Sequence, residues 1–329
     1  MTLHAAENIR DAFAATRAFL TPFSLRRWAK LALVVFFIGT GLSVPTPSFD
    51  VSVPAEDIPD TGGTDALPDD LLLIGAVVVA IVLVLGLLWW LVSSVMEFVF
   101  IESLRAGDVR IRRYWGRRWR QGVRLLGFRL ALAVPVFVLF VGWLALLFVP
   151  LATDVTTPAW FLAVFLLGIP LFFVVALLFG IIHLFTTVFV VPIMVKTDSG
   201  VLAAWRRLWP SIRAEWKQYL GYTVIGGVLT FASGMVVAVA LGFVALLLLI
   251  PLGGVALLVF LTLSFSSAVG LVVLGLLVVL FVAMMVVLWA FVQVPVVTYL
   301  RYYALLVLGD IEPEFDIIPD QRAAIRREG

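Results

Sequence analysis

YLGYTVIGGVLTFASGMVVAVALGFVALLLLI, residues 219–250, opens an 82-residue run, Tyr219–Leu300, that contains no Lys, Arg, Asp, Glu or His. A soluble core does not tolerate such a run, because ordinary domains carry roughly a quarter charged residues. Working outward, apolar runs recur from Leu71, from Leu125 and from Ala159. The whole chain of 329 residues is 63% hydrophobic and 13% charged, with a mean hydropathy of +1.14. Runs of about 18 or more apolar residues read as transmembrane helices. These runs are continuously apolar rather than alternating, which excludes barrel strands. Lipid also forces each spanning segment to satisfy its own backbone hydrogen bonds. The predicted class is therefore all-α and membrane-embedded.

Charge placement sets the expected topology. All 23 Lys and Arg fall in or beside the N-terminus, 103–129, 196–217 and the C-terminal region. The segments 46–70, 152–158 and 249–270 have none, and 46–70 holds seven acidic residues with four prolines. The positive-inside rule then places both termini in the cytoplasm of a cell-membrane protein. It predicts six spans in three hairpins, at about 29–45, 71–100, 125–151, 159–195, 219–248 and 271–303. These form one transmembrane domain, 1–310, followed by a soluble tail, 311–329, with a short helix at about 320–328. The apolar segment 249–270 reads as a turn or re-entrant piece, because a further full helix would carry the C-terminus across the membrane.

Each pair of spans is expected to follow an amphipathic helix at the cytoplasmic interface. In residues 3–20, Ile9, Phe13, Thr16 and Leu20 share one face at helical spacing. Arg112-Arg113-Tyr114-Trp115 and Arg206-Arg207-Leu208-Trp209 repeat 94 residues apart, and SLRRWAKL at 24–31 is a shorter version. Ile111, Trp115, Trp119 and Val123 trace one stripe; Val201, Trp205, Leu208, Trp209, Ile212 and Trp216 trace the other. Arg112, Arg113, Arg117, Arg118, Arg206 and Arg207 are the expected contacts to anionic lipid headgroups. Basic plus aromatic residues also fit nucleic acid, but these stretches abut spans directly, so lipid is the expected partner and nucleic acid is not. Along the fifth span, Gly227, Thr230, Gly234, Ala238 and Gly242 form a small-residue face suited to close helix packing.

A charged group inside a span is a functional hypothesis by default. Glu97, Glu102, Arg129 and His183 are the candidate intramembrane polar groups. Glu97 or Glu102 can reach Arg129, either as an ion pair fixing the hairpin or as the lining of a cavity. His183 stands alone among Ile182, Leu184 and Phe185, and reads as a packing residue. The only other histidine is His4 and there is no cysteine, so neither a metal site nor a cofactor is expected. No GxxxxGK[ST], GxGxxG after a strand, HExxH or GxSxG occurs. An enzyme is therefore not expected. The reading is a non-enzymatic protein that organises lipid or an unidentified protein partner. The alternative is a small-solute transporter or channel-like permease, drawing on Glu97, His183 and the proline-broken spans three and four.

Four pieces carry a family resemblance: FLTPFSLRRWAKLALVVFF at 19–37, VRIRRYWGRRWRQGVRLLGFR at 109–129, VVPIMVKTDSGVLAAWRRLWPSIRAEWKQYL at 190–220 and VPVVTYLRYYALLVLGD at 294–310. In these the chain resembles an uncharacterised family of haloarchaeal multi-pass membrane proteins. More distantly it is similar to the membrane domain that accompanies some glycerophosphodiester phosphodiesterases. That resemblance implies six helices in hairpins with interfacial elbows, and no catalysis. It supplies no site residues.

Overall fold

A computed structural model describes residues 4–39, 69–152, 158–263 and 268–328, and every regular element among them is helical. In chain order these are α1 (His4–Leu20), α2 (Leu25–Gly39), α3 (Asp69–Ala106), α4 (Ile111–Ala152) and α5 (Pro158–Phe185). A π-helical turn (Thr186–Val190) leads into α6 (Val191–Thr197), α7 (Val201–Ala214), α8 (Trp216–Leu263) and α9 (Ala268–Ile311). A 3₁₀ turn (Pro313–Phe315) and α10 (Pro319–Glu328) complete it. Five segments are long and apolar enough to cross a membrane: Leu73–Ala106, Ile111–Phe148, Trp160–Thr197, Trp216–Thr262 and Val269–Ile311. The expected first span, 29–45, is described only as far as Gly39. Its remainder and most of the acidic segment 46–70 lie outside the described residues, as do 153–157.

Two zones divide the long helices. At one end the chain is packed: Phe98, Phe100 and Ile101 of α3, Leu125 of α4, Phe189 and Ile193, and Tyr303 and Leu306 of α9 are all fully buried. At the other end Leu83, Phe137, Leu167, Leu258 and Val279 stand exposed. Those side chains are what a hydrocarbon solvent would cover, and a core about 30 Å thick takes about 20 helical residues. In this apolar zone the few polar atoms are satisfied locally. Trp143 Nε1 donates to the Val164 carbonyl at 3.2 Å and Trp160 Nε1 to that of Leu146 at 3.1 Å, tying α4 to α5. Gly168 makes room for the Trp143 indole, since a Cβ there would stand 2.7 Å from its Cε2.

Several expectations are corrected. The basic stretch 111–124 is no separate interfacial helix but the first turns of α4, continuous with its span. Its inward face is Tyr114, Arg118, Gln121 and Leu125, a helical spacing offset by one residue from the tryptophan stripe. Helix α1 turns a different face inward from the expected one: it packs on α9 through Ala12, Ala15, Thr16 and Phe19, with Phe19 edge-on to Tyr302 at 5.9 Å. Phe13 is consequently exposed. Helix α8 runs through Pro251 to Leu263, so 249–263 extends a span rather than turning or re-entering. Along the small-residue face of α8, a Cβ at Gly227, Gly234 or Gly242 would meet no described residue within 4 Å. Close packing occurs elsewhere, where Gly122 of α4 abuts α3 and a Cβ would stand 2.9 Å from Val95 Cα.

The C-terminal segment folds back onto the packed end. Arg326 of α10 pairs with Asp310 at 2.7 Å and with Asp11 of α1 at 3.0 Å, and Arg322 pairs with Asp310 at 2.7 Å. Asn8 donates to Asp310 at 2.7 Å, so both ends of the chain meet at one carboxylate. The hydrogen bond from Arg326 to Asp310 raises the arginine's pKa.

Candidate functional site

The packed end contains a buried polar layer that begins with a proline. Pro192 has no N–H to offer the preceding helix. The Val191 N–H bonds the Thr186 carbonyl in the π-helical register. The next acceptor in that register is Thr187, and its donor would have been residue 192. The Arg301 guanidinium takes that carbonyl instead, Nη1 to O at 2.8 Å. The other arm of Arg301, Nη2, donates to Glu97 Oε2 at 2.5 Å. The second oxygen of Glu97 faces Arg129 Nη2 at 3.6 Å. Arg129 also donates to Ser94 Oγ at 3.3 Å and Thr187 Oγ1 at 3.2 Å. Four elements, α3, α4, the π turn and α9, thus close on a carboxylate that is 3% exposed.

Charge dominates this layer: two guanidinium groups share one carboxylate. Breaking a buried pair leaves an uncompensated charge and costs about 3–5 kcal/mol, so the layer is a lock between helices. The expected Glu97 contact to Arg129 is present, but its shorter partner, Arg301, is one that reading the sequence missed. A signal was available, since Arg301 is the only charged residue between Lys217 and Asp310. His183 lies outside the layer, half-buried and stacked on Phe179 with centroids 6.2 Å apart.

Glu102 does not join Arg129. It is held by Arg118, whose side chain is 3% exposed and bonds through both Nε and Nη2 to Glu102 Oε1. Arg118 reaches on to Asp198 Oδ1 at 2.9 Å and the Val195 carbonyl at 3.2 Å, and Gln121 takes the Met194 carbonyl at 3.1 Å. These side chains satisfy the last carbonyls of α6, which ends at Asp198 in the left-handed region with φ 52°. Arg118 is therefore a buried clamp and faces no headgroup, correcting its expected role.

The remaining five arginines do face outward. Arg112, Arg113 and Arg117 on α4 and Arg206 and Arg207 on α7 are exposed. Beside them Trp119, Trp209 and Trp216 are also exposed, with Arg213 over the Trp209 ring at 5.1 Å and Lys217 over Trp216 at 5.8 Å. Burying Tyr114, Arg118 and Leu208 inward turns the intervening arginines outward, so the belt follows from the helical period.

A packed polar end and five long apolar helices define a helical multi-pass membrane protein. More particularly, the chain belongs to DUF7544, a family of unknown function, whose model matches residues 3–318. No curated protein and no solved structure matches the chain.

Proposed function

We propose that this is a non-enzymatic integral membrane protein that gathers anionic lipid at the cytoplasmic face of the cell membrane. The observation that carries this reading is the outward belt of Arg112, Arg113, Arg117, Arg206 and Arg207 beside exposed tryptophans. Lys and Arg near an anionic surface each contribute about 1 kcal/mol of attraction, and indole rings prefer headgroup depth. The positive-inside rule puts this end in the cytoplasm with both termini. Small-solute transport, the alternative, would use Glu97 as a polar lining. Its two oxygens are instead engaged by Arg301 and Arg129, which favours a fixed joint over a path.

Lipid that co-purifies from mixed phosphatidylcholine and phosphatidylglycerol bilayers tests the reading. Enrichment of phosphatidylglycerol is expected around the native chain. It should fall several-fold on changing the five exposed arginines to Gln. Equal lipid composition around both proteins would reject the belt as a lipid contact.

A further inference from the structure

A second basic feature, distinct from the belt, lies where α2 begins. A surface cleft of about 320 Å³ opens between the start of α2 and the α3–α4 turn, lined by Ser24, Arg26, Arg27, Lys30, Asp108 and Arg110. That volume is at the small end of the range for ligand pockets, about 300–1,000 Å³. It suits a headgroup rather than a whole lipid. Two of its cations are fixed by backbone carbonyls of the turn, Arg27 Nη2 to Gly107 at 3.1 Å and Lys30 Nζ to Val109 at 3.3 Å. Arg27 is also held over the Phe19 ring at 4.4 Å, and its buried Nε has no acceptor among the described residues. The one carboxylate, Asp108, is paired to Arg110 at 2.6 Å. Four cations against one anion leave the cleft at net +3, and the first turn of α2 adds free backbone N–H groups.

From the rim, the exposed residues Leu25, Ala29 and Leu33 descend α2 at a spacing of four, beside exposed Phe23. This apolar stripe runs beside the cleft-lining Arg26 and Lys30 toward the apolar part of the helix. A soluble anion would have no use for it, whereas an acyl chain attached to the anion would cover it.

We infer that the cleft binds the terminal phosphate of a phosphate-monoester lipid, with its acyl portion along Leu25, Ala29 and Leu33. A monoester carries nearly two negative charges near neutral pH, which suits a net +3 site better than the single charge of a phosphodiester headgroup. This rests on the reading that the basic end meets anionic lipid, and adds selectivity at one place.

The test uses the full chain in phosphatidylcholine nanodiscs, titrated separately with phosphatidic acid and phosphatidylglycerol, bound lipid being counted by native mass spectrometry. Phosphatidic acid should be retained about tenfold more tightly. Arg26→Gln with Arg110→Gln, both at exposed positions, should abolish that preference while general anionic enrichment persists. Gln at the five belt arginines should do the reverse. Preference unchanged in the cleft variant overturns the site. Enrichment of neither anionic lipid overturns the broader reading as well. Inorganic phosphate that displaces phosphatidic acid at micromolar concentration would assign the cleft to a soluble phosphate and overturn the lipid proposal.

Discussion

The Thr187 carbonyl lacks a backbone donor because residue 192 is proline, and one residue type thereby reaches the charges on three other helices. Glu97 is the centre of that layer and should be the most sensitive position in it. Glu97→Met leaves Arg129 and Arg301 facing each other without an anion, and should cost about 3–5 kcal/mol. Arg301→Met should cost less, because Arg129, already 3.6 Å away, can close on Glu97. Tryptophan-fluorescence unfolding in detergent reads both, and the reverse order would refute Glu97 as the hub. Asp108 carries a pH dependence. The hydrogen bond from Arg110 holds its carboxyl below the ordinary 3.8. A lowered folded pKa contributes stability above the unfolded value, lost as pH falls through the folded one. Asp108 should therefore remain more than half ionised, and the pair mostly formed, at pH 3.8. A carboxyl NMR titration with its midpoint at or above 3.8 would contradict this. Glu97 was legible as an intramembrane charge seeking a partner. Arg301, though the lone charge between Lys217 and Asp310, stands close enough to a span's end to pass for a membrane-surface residue.

Among elements, α4 shows where periodicity and charge compete. Seven arginines in 111–129 look like a surface segment, yet one helix carries them and the following span without a break. The reason is that Arg118 and Gln121 point inward to acceptors that charge counting cannot see: Glu102 and the last carbonyls of α6. In α8 the turn expected from residue 249 onward is overridden through Pro251, Gly253 and Gly254. In lipid an interrupted helix would leave carbonyls unpaired, so the backbone continues to Leu263. Small-residue spacing on α8 likewise marks no contact among the described residues, whereas Gly122 lets α4 approach Val95 of α3. Gly122→Ala should push α3 from α4 and cost about 1–3 kcal/mol, as overpacking does. Gly116→Ala, on the same helix with open space around its Cβ, should be neutral or stabilising by up to about 1 kcal/mol through helix propensity. The same thermal unfolding assay compares them, and equal effects would remove Gly122 as the contact point.

Across the whole molecule, packing and basic charge gather at one end while bare apolar helices fill the other. That asymmetry was legible in the sequence as a charge-free block flanked by arginine-rich stretches. The tight interior of the basic end was not, since it depends on long-range pairs such as Arg301 with Glu97. The polar layer also supplies a depth marker. From Glu97 back to Leu73, α3 spans about 36 Å at 1.5 Å per residue. The hydrocarbon core is about 30 Å thick, so Glu97 sits near its edge on the basic side. The orientation follows if basic segments stay inside. Because the chain has no cysteine, single introduced thiols can report it without background. Gly116→Cys, on the exposed arginine-rich part of α4, should react with a membrane-impermeant maleimide only after cells are permeabilised. Thr156→Cys, which lies between α4 and α5 in sequence, should react in intact cells. The opposite pattern would place the arginine belt outside the cell. The cytoplasmic-leaflet role would then fail even though the fold and the polar layer stood unchanged.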